Sequence, residues 1–268
     1  MEGWLSGLVC SLLAGAGVGF EAQANRKALS DTGQRVYDLE QWFMIHTRDL
    51  VKGYHGQEVT TPVLINVNID VGDGEFVAIA GPSGSGKSTL FNILGLLEAP
   101  DAGSIVFRGK EVAGLGEADR LALRRGHIAY VFRQFNLVDE LSVAENVALP
   151  LLYLKMKRSE RRERVEEALG RFGLGHISRR FPRQLSGLQQ QMTALARATV
   201  FQPTLLLADE PTGNLNSAGG SAVMEALSAI NEAGTTLVLF TNSMQEAQKA
   251  RRIIQLFDGH VVTDHAHT

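Results

Sequence analysis

The sequence has few cysteines, few aromatic residues and no excess of charge of either sign. Its 268 residues include a single cysteine, Cys10, so no internal disulfide can form, which fits a reducing compartment. No cysteine or histidine spacing typical of a structural zinc site occurs. The formal net charge is −3, and composition therefore gives no indication of a nucleic-acid partner. The basic stretch at residues 155–164 is balanced by neighbouring glutamates and is interpreted as a solvated helix face.

Long hydrophobic runs are also scarce, and the one candidate lies at the start of the chain. Gly3 to Phe20 carries no charge and is just long enough to span a membrane, but it contains five glycines. No Lys or Arg precedes it, and Glu2 stands where a signal peptide is positively charged. We expect residues 1–42 to form an extension, with an accessory helix and a helical linker, and a membrane anchor as the alternative.

From residue 43 to residue 268, apolar strand runs alternate with amphipathic helical runs, a pattern typical of an α/β domain. Phe76–Ala80 is an unbroken apolar run that predicts a buried parallel strand. The strand signal disappears between residues 140 and 187, which indicates a helical lobe at about residues 134–187. Asp258-Gly259 predicts a hairpin turn. Other strands are predicted at Phe43–Leu50, Val63–Val71, Ile105–Phe107, Ile128–Phe132, Leu205–Ala208 and Leu237–Thr241, and helices at Ser88–Leu97, Val143–Leu154 and Ser159–Phe172.

Residues 81–88 match the phosphate-binding pattern G-x-x-x-x-G-K-[ST]. They follow a predicted strand and open a predicted helix, which is the structural context that the motif requires. The glycines let backbone N–H groups surround a phosphate, and the helix N-terminus adds partial positive charge. Lys87 is expected to reach the β- and γ-phosphates of ATP, and the Ser88 hydroxyl to bind Mg²⁺. The ATP-binding residues predicted from this motif are Gly81, Ser83, Gly84, Ser85, Gly86, Lys87, Ser88 and Thr89.

A second motif brings two carboxylates to the end of an apolar strand at residues 205–208. Asp209 is expected to hold Mg²⁺ through water. Glu210 lies where a general base for an attacking water is expected. The predicted metal-binding residues are therefore Ser88 and Asp209, and the predicted cofactors are ATP and Mg²⁺.

Together the motifs resemble those of the ABC ATPase family over residues 45–264, most similarly the ATPases of lipoprotein-release and macrolide-export systems. The resemblance rests on residues 81–89, 135–147, 185–187 and 208–215. It implies a P-loop NTPase fold of the α/β class, with a RecA-like core, an antiparallel β subdomain and a helical ABC-type lobe. It also implies that Tyr54 stacks on adenine, because Tyr54 falls where the family has an aromatic ring; the alternative is an aromatic residue at the rim of the β subdomain.

The resemblance further implies partners and a location. Two cassettes would pair head to tail, so that the signature residues Ser186, Gly187 and Gln189 serve the ATP of the second cassette. Ser186 and Gln189 also form a capping-box pattern ahead of a helical run. A transmembrane permease is expected to contact residues 135–152, which would place the chain peripherally on the cytoplasmic face of the inner membrane. No nucleic-acid partner is expected.

Four positions depart from the family pattern, and all four belong to motifs around the expected γ-phosphate. Leu188 replaces the second glycine of the signature L-S-G-G-Q, where a positive φ would be strained. Arg133 stands at the Q-loop glutamine position, with Gln134 one residue late. Asn216 replaces the D-loop aspartate, and Asn242 replaces the switch histidine.

These departures predict slowed hydrolysis with nucleotide binding retained. Loss of one preorganised donor to a transition-state charge costs about 10²–10³ in rate. Arg133 is expected to offset part of that loss by approaching the γ-phosphate in the manner of an arginine finger. The predicted catalytic residues are Glu210, Asn242 and Arg133.

Other functional classes remain as alternatives to an ATP-hydrolysing transporter subunit. One is a nucleotide-gated regulatory protein with little turnover, and another is the degenerate half of a mixed dimer. A DNA-repair or translation ABC protein is disfavoured. Repair types need a very long coiled coil between the two nucleotide motifs, translation types carry two cassettes, and the sequence shows neither an intervening coiled coil nor an internal repeat.

Overall fold

The computed structural model describes residues 43–55 and 60–266, and the predictions for residues 1–42 lie outside that range. Its strands are β1 (Phe43–His55), β2 (Thr60–Gly72), β3 (Phe76–Ala80), β4 (Ala102–Phe107), β5 (Lys110–Glu111), β6 (Ile128–Phe132), β7 (Leu205–Asp209), β8 (Thr236–Thr241), β9 (Arg252–Phe257) and β10 (His260–Ala266). Its α-helices are α1 (Lys87–Leu94), α2 (Glu117–Arg124), α3 (Val143–Ala148), α4 (Arg158–Arg171), α5 (Gly187–Thr199), α6 (Ser217–Glu232) and α7 (Met244–Ala247).

The strands form two sheets. The larger has the order β10-β9-β3-β8-β7-β6, and the smaller is antiparallel with the order β2-β1-β4-β5. Strand β3 pairs in parallel with both β8 and β9, and all five of its residues are buried. The unbroken apolar run at residues 76–80 follows from this position, because a central parallel strand is covered on both faces. The prediction of a buried parallel strand is confirmed.

The turn between β9 and β10 supports the loop that follows β3. Asp258 has a φ of 44° and Gly259 a φ of 77°, so the predicted Asp-Gly hairpin turn is confirmed. A Cβ on Gly259 would lie 2.5 Å from the Val63 carbonyl oxygen. The Gly259 N–H donates to the Ser85 carbonyl at 3.1 Å, and its own carbonyl accepts from the Ile65 N–H at 2.9 Å. The hairpin turn thus joins β2 to the phosphate loop.

Three apolar clusters hold the described residues together. The first joins the smaller sheet, helix α1 and one face of the larger sheet, with Phe91 and Phe240 among its members. The second packs α5 and α6 on the larger sheet. The third lies inside the helical segment, where Val143, Val147 and Leu151 are fully buried. The lobe therefore has a core of its own, which accounts for most of its apolar residues.

Two α-helices end earlier than predicted. Helix α1 ends at Leu94 rather than at residue 97, and the N–H groups of Leu97 and Glu98 both donate to the Asn92 carbonyl. The predicted helix at residues 143–154 is an α-helix to Ala148 and a 3₁₀ helix over Leu149–Tyr153, because Pro150 has no N–H to continue the ladder. Within the described ranges, no helix combines the length and apolarity needed to cross a bilayer.

Candidate functional site

The phosphate loop connects β3 to α1 and is shaped by glycines. Gly84 and Gly86 have φ values of 83° and 100°, in the region that glycine alone adopts without strain. A Cβ on Gly86 would lie 2.8 Å from the Val63 carbonyl oxygen, and one on Gly81 would lie 2.2 Å from the Leu256 carbonyl oxygen. Glycine is therefore required at both positions 81 and 86 for steric reasons.

Lys87 is the first residue of α1 and is only 6% exposed. Its Nζ donates to the carbonyl oxygens of Gly81 and Pro82, both at 2.8 Å. Burial lowers the pKa of Lys87, and the carboxylates of Glu210 and Asp209 oppose that shift. The ammonium group is thus held inside the loop with two neutral acceptors.

A cleft of about 400 Å³ lies in front of this loop. It is lined by Val63, Ser83, Gly84, Gly86, Lys87, Ser88, Thr89, Arg133, Asp209 and Glu210. Gly81 and Ser85 lie behind that surface: Gly81 contributes a carbonyl to Lys87, and Ser85 is 2% exposed. Among the described residues, none forms a hydrogen bond with the buried Ser85 hydroxyl. An unpaired buried hydroxyl is a group that a bound ligand can satisfy.

Strand β7 delivers both carboxylates to the cleft. Burial and the nearby Glu210 charge raise the pKa of Asp209, while Lys87 and Arg133 counteract the rise. Glu210 has a φ of 42°, which is uncommon for a residue with a side chain. Its N–H donates to the Phe240 carbonyl at 2.8 Å, which holds this backbone in place. Strained backbone of this kind is concentrated at functional sites.

Arg133 points at Glu210. Its Nη1 donates to Glu210 Oε2 at 3.2 Å, and its Nε donates to Asn214 Oδ1 at 3.3 Å. Asn214 in turn donates to the Arg133 carbonyl at 2.9 Å. A Cβ on Gly213 would lie 2.8 Å from Arg133 Nε, so the arginine side chain lies directly over that glycine. Arg133 is therefore an ion-pair partner of the predicted base.

Tyr54 lies beside the first turn of α1. Its hydroxyl is 3.5 Å from Thr89 Oγ1 and donates to Glu98 Oε2 at 3.0 Å. The residue is 45% exposed, so its ring is accessible to a ligand. Of the described residues that line the cleft, Thr89 is the one that Tyr54 contacts through a hydrogen bond.

The signature residues form the N-terminus of α5. Ser186 Oγ accepts from the Gln189 N–H at 3.3 Å, and Gln189 Oε1 accepts from the Ser186 N–H at 3.0 Å, so the predicted capping box is present. Leu188 is helical and packs against the second apolar cluster. The expected strain from a positive φ at Leu188 therefore does not arise. None of Ser186, Gly187 and Gln189 is among the described residues that line the cleft.

The remaining two departures lie at helix starts. Asn216 caps α6, because its Oδ1 accepts from the Gly219 N–H at 2.9 Å. An aspartate carboxylate accepts the same bond, so the substitution preserves the cap. Asn242 is exposed and borders an apolar cavity next to Gly81 and Pro82. The structure places Asn242 outside the set of described cleft-lining residues.

Two side-chain links between these loops, through Gln191 and Glu246, were not predicted from the sequence. Gln191 on α5 donates to the Phe132 carbonyl at 3.3 Å and to the Pro211 carbonyl at 2.5 Å, and it is fully buried. Glu246 on α7 accepts from the hydroxyl of Thr241 at 2.7 Å and from that of Thr212. The one signal in the sequence for the first link was a glutamine among the apolar residues of a predicted helical run. A buried glutamine needs hydrogen-bond partners for its amide.

The residues present fit a nucleotide with a divalent cation. The glycine loop, the buried ammonium and the helix N-terminus suit an anionic phosphate. The Ser88 hydroxyl and the Asp209 carboxylate are hard oxygen donors in the same cleft, as Mg²⁺ prefers. Among the described residues, no three His, Cys, Asp or Glu side chains form a metal-binding group.

Comparison with known proteins finds ABC transporter proteins both among family models and among individual relatives. The family model described as ABC transporter matches residues 64–213. An uncharacterized ABC transporter ATP-binding protein of Methanocaldococcus jannaschii, MJ1508, is 42% identical over 219 residues, covering 82% of this chain and 98% of the relative. The macrolide export ATP-binding/permease protein MacB of Azoarcus is 42% identical over 82% of this chain, which spans 34% of that relative's length.

Solved structures confirm the predicted fold. The dimeric ATP-binding cassette MJ0796, bound to ADP and Pi in a post-hydrolysis state, has a TM-score of 0.78 and 39% identity over 84% of this chain and 99% of its own. CbiO1 from Clostridium perfringens, part of the transporter complex cbiONQ, has a TM-score of 0.75 and 26% identity over 84% of this chain and 89% of its own.

Proposed function

Because the chain belongs to the ABC transporter family of ATPases, we propose that it is the Mg·ATP-hydrolysing subunit of an export-type transporter. In this proposal it pairs with a second cassette and with a transmembrane permease. The observation that carries the proposal is the cleft in which the glycine loop, Lys87, Asp209 and Glu210 meet. The similarity to MacB over the cassette supports the export assignment.

We propose a role for each group that lines the cleft or lies beside it. The loop N–H groups and Lys87 bind the β- and γ-phosphates, and Ser88 and Asp209 hold Mg²⁺, which would neutralise phosphate charge. Glu210 orients the attacking water and accepts its proton. Tyr54 contacts the base. The phosphate loop, Lys87, Ser88, Asp209 and Glu210 line one cleft, which supports these roles.

In this proposal, pairing brings the signature residues of the second cassette to the cleft. The capping box uses the N–H groups of Ser186 and Gln189, and the N-terminus of α5 keeps the partial positive charge of a helix start. We propose that Ser186, Gly187 and Gln189 present that terminus to the γ-phosphate on the second cassette. The cassette MJ0796 has been solved as a dimer, which supports this arrangement.

The permease contact is proposed on the helical lobe. Within the expected segment, residues 135–152, the buried side chains Val143 and Val147 belong to the lobe core. Val138 and Leu152 are 39% and 56% exposed, and the adjacent Tyr153 is 69% exposed. These exposed apolar side chains are available to a partner. A cassette that docks on a permease in this way lies peripherally on the cytoplasmic face of the membrane.

Hydrolysis is proposed to be slow, and the ion pair at the base is the reason that the geometry favours. While Arg133 pairs with Glu210, the carboxylate is less available to accept a proton from water. The arginine-finger role would require Arg133 to leave this pair and move to the γ-phosphate. Slow turnover also keeps a second candidate function open, that of a nucleotide-gated regulator or a silent half of a mixed dimer. The Arg133–Glu210 pair is the observation that favours it.

Steady-state ATPase activity of the purified chain with Mg²⁺ tests the proposal, beside a Glu210→Gln variant and an ATP-binding titration. We expect both proteins to bind ATP and the wild type alone to release phosphate. Binding without turnover above the variant would support the regulator instead. Absence of ATP binding would refute both candidates.

A further inference from the structure

Tyr54 is held by a network that extends beyond the nucleotide cleft. Its hydroxyl donates to Glu98 Oε2 at 3.0 Å. Glu98 follows the end of α1, so the carboxylate and the phosphate-binding turn belong to the same short segment. The Tyr54 hydroxyl also lies 3.5 Å from Thr89 Oγ1 on the first turn. The ring is therefore fixed relative to both ends of α1.

Lys52 completes the network. Its Nζ lies 3.2 Å from Glu98 Oε1 and 2.9 Å from Asp101 Oδ1, and it also lies over the Tyr54 ring, 5.9 Å from the ring centroid. Burial opposes the charge, but Asp101 and Glu98 raise the pKa of Lys52 above its ordinary value. A charged lysine offsets the Glu98 carboxylate, which would otherwise repel a triphosphate near the site.

The network reduces the conformational entropy that the Tyr54 side chain would lose when a ligand stacks on its ring. An aromatic side chain that is 45% exposed would otherwise sample several rotamers. Immobilising such a side chain on binding costs about 2- to 10-fold in affinity. The hydrogen bond to a charged acceptor removes that freedom in advance, because charge-assisted bonds are the stronger class.

We propose that Glu98, supported by Lys52, is a positioning residue that orients the Tyr54 ring for the nucleotide base. The inference rests on the proposed ATP-binding function. It adds a residue through which the affinity of the site depends on the nucleotide base. Glu98 acts through Tyr54 and touches neither the phosphates nor the reacting atoms.

The test compares two ligands that differ by the nucleoside. Calorimetric titration of the full chain with Mg²⁺ and either ATP or inorganic tripolyphosphate separates the base contribution from that of the phosphates. Base–aromatic stacking contributes about 5- to 150-fold, so Tyr54→Ala should lower ATP affinity within that range. Glu98→Ala should lower it about 2- to 10-fold. Neither variant should change the affinity for tripolyphosphate.

Further variants distinguish a role of Glu98 in orienting the Tyr54 ring from a general loss of structure. Tyr54→Phe keeps the ring and removes the hydroxyl, so it should match Glu98→Ala, and combining the two should add nothing. Glu98→Gln retains an acceptor and should keep most of the affinity. Glu163→Ala, on the exposed face of α4, is the matched control for loss of a glutamate, and it should change neither affinity.

Three results would overturn the inference. The first is unchanged ATP affinity in Glu98→Ala, and the second is an equal loss of affinity for ATP and for tripolyphosphate in that variant. The third is that Phe257→Ala removes the difference in affinity between ATP and tripolyphosphate while Tyr54→Ala does not. Phe257 is the relevant comparison because it is 52% exposed and borders Gly81 and Pro82 on another side of the loop. A wild-type chain that binds neither ligand would instead refute the proposed function.

Discussion

Replacing Arg133 by glutamine is expected to speed ATP hydrolysis. Arg133 Nη1 lies 3.2 Å from Glu210 Oε2, the carboxylate proposed as the general base. A base engaged in an ion pair has to be released, or to share its lone pairs, before it can accept a proton from water. Glutamine at position 133 carries no charge, so it leaves Glu210 free.

The size of the effect follows from the exposure of the pair. The side chains of Arg133 and Glu210 are 54% and 19% exposed, which places the contact between a surface pair and a buried one. Exposed ion pairs contribute about 0.2–1 kcal/mol. If that free energy is recovered in the transition state, kcat rises about 1.4- to 5-fold. The direction of the change in kcat is more informative than its size, because the arginine-finger role predicts a fall in kcat.

The assay is continuous phosphate release at saturating Mg·ATP, with ATP affinity measured separately. Arg183→Gln is the matched control, since Arg183 forms an exposed pair with Asp139 away from the cleft. In a Glu210→Gln background, Arg133→Gln should have no effect, because the group on which Arg133 acts is then neutral.

A fall in kcat of about 10²-fold or more would refute this reasoning and show that Arg133 stabilises the transition-state charge. An equal gain in the Glu210→Gln background would refute it differently, since the gain would not then pass through the base.

Three other expectations follow from the site and its surroundings. Asn242→His restores a side chain that can become cationic and should raise kcat by about 10²-fold in the same assay; unchanged kcat would show that this position does not limit turnover. Gly86→Ala should lower the free energy of unfolding by more than Gly84→Ala, measured by urea denaturation. Both have a positive φ, but only at Gly86 would a Cβ meet other atoms within 4 Å, so equal losses would argue against the clash. Burial and the Arg108 charge lower the pKa of His127 below 6.5, so the unfolded chain binds its proton more readily. The free energy of unfolding should therefore fall as pH drops below that value, and His127→Gln should reduce this dependence.

The parts of the fold that sequence predicts well are those with a local cause. Strand β3 is recognisable because a central parallel strand is apolar at every position. The phosphate loop is recognisable because its conformation depends on glycines at fixed spacing, such as Gly84 and Gly86. The turn at Asp258-Gly259 has the same kind of local origin.

Helix α6 shows where local signals fail. Its first turns contain Gly219 and Gly220, which disfavour a helix by about 1 kcal/mol each relative to alanine. Tertiary packing decides the outcome, because Val223 and Leu227 are fully buried in the second apolar cluster. The composition of the segment therefore gave little indication of the helix that packing stabilises.

The Arg133–Glu210 contact was beyond the reach of sequence for a different reason. The two residues are 77 positions apart, and their meeting depends on the parallel pairing of β6 with β7. The sequence identified Arg133 as a departure from the family pattern and Glu210 as the predicted general base. The Arg133 side chain is held in this position by Asn214 and lies over Gly213, and no local sequence pattern encodes that arrangement.

The buried amide of Gln191 makes helix α5 a lever on the catalytic loops. One NH₂ group holds the Phe132 and Pro211 carbonyls, which adjoin Arg133 and Glu210 in sequence. If α5 tilts as the lobe moves, these bonds either pull both loops together or break, and breaking them leaves two carbonyl acceptors without this partner. Force applied to the lobe surface would then reach Arg133 and Glu210 together. A partner that docks on the lobe, as proposed above, would by this route tighten or release the Arg133–Glu210 pair.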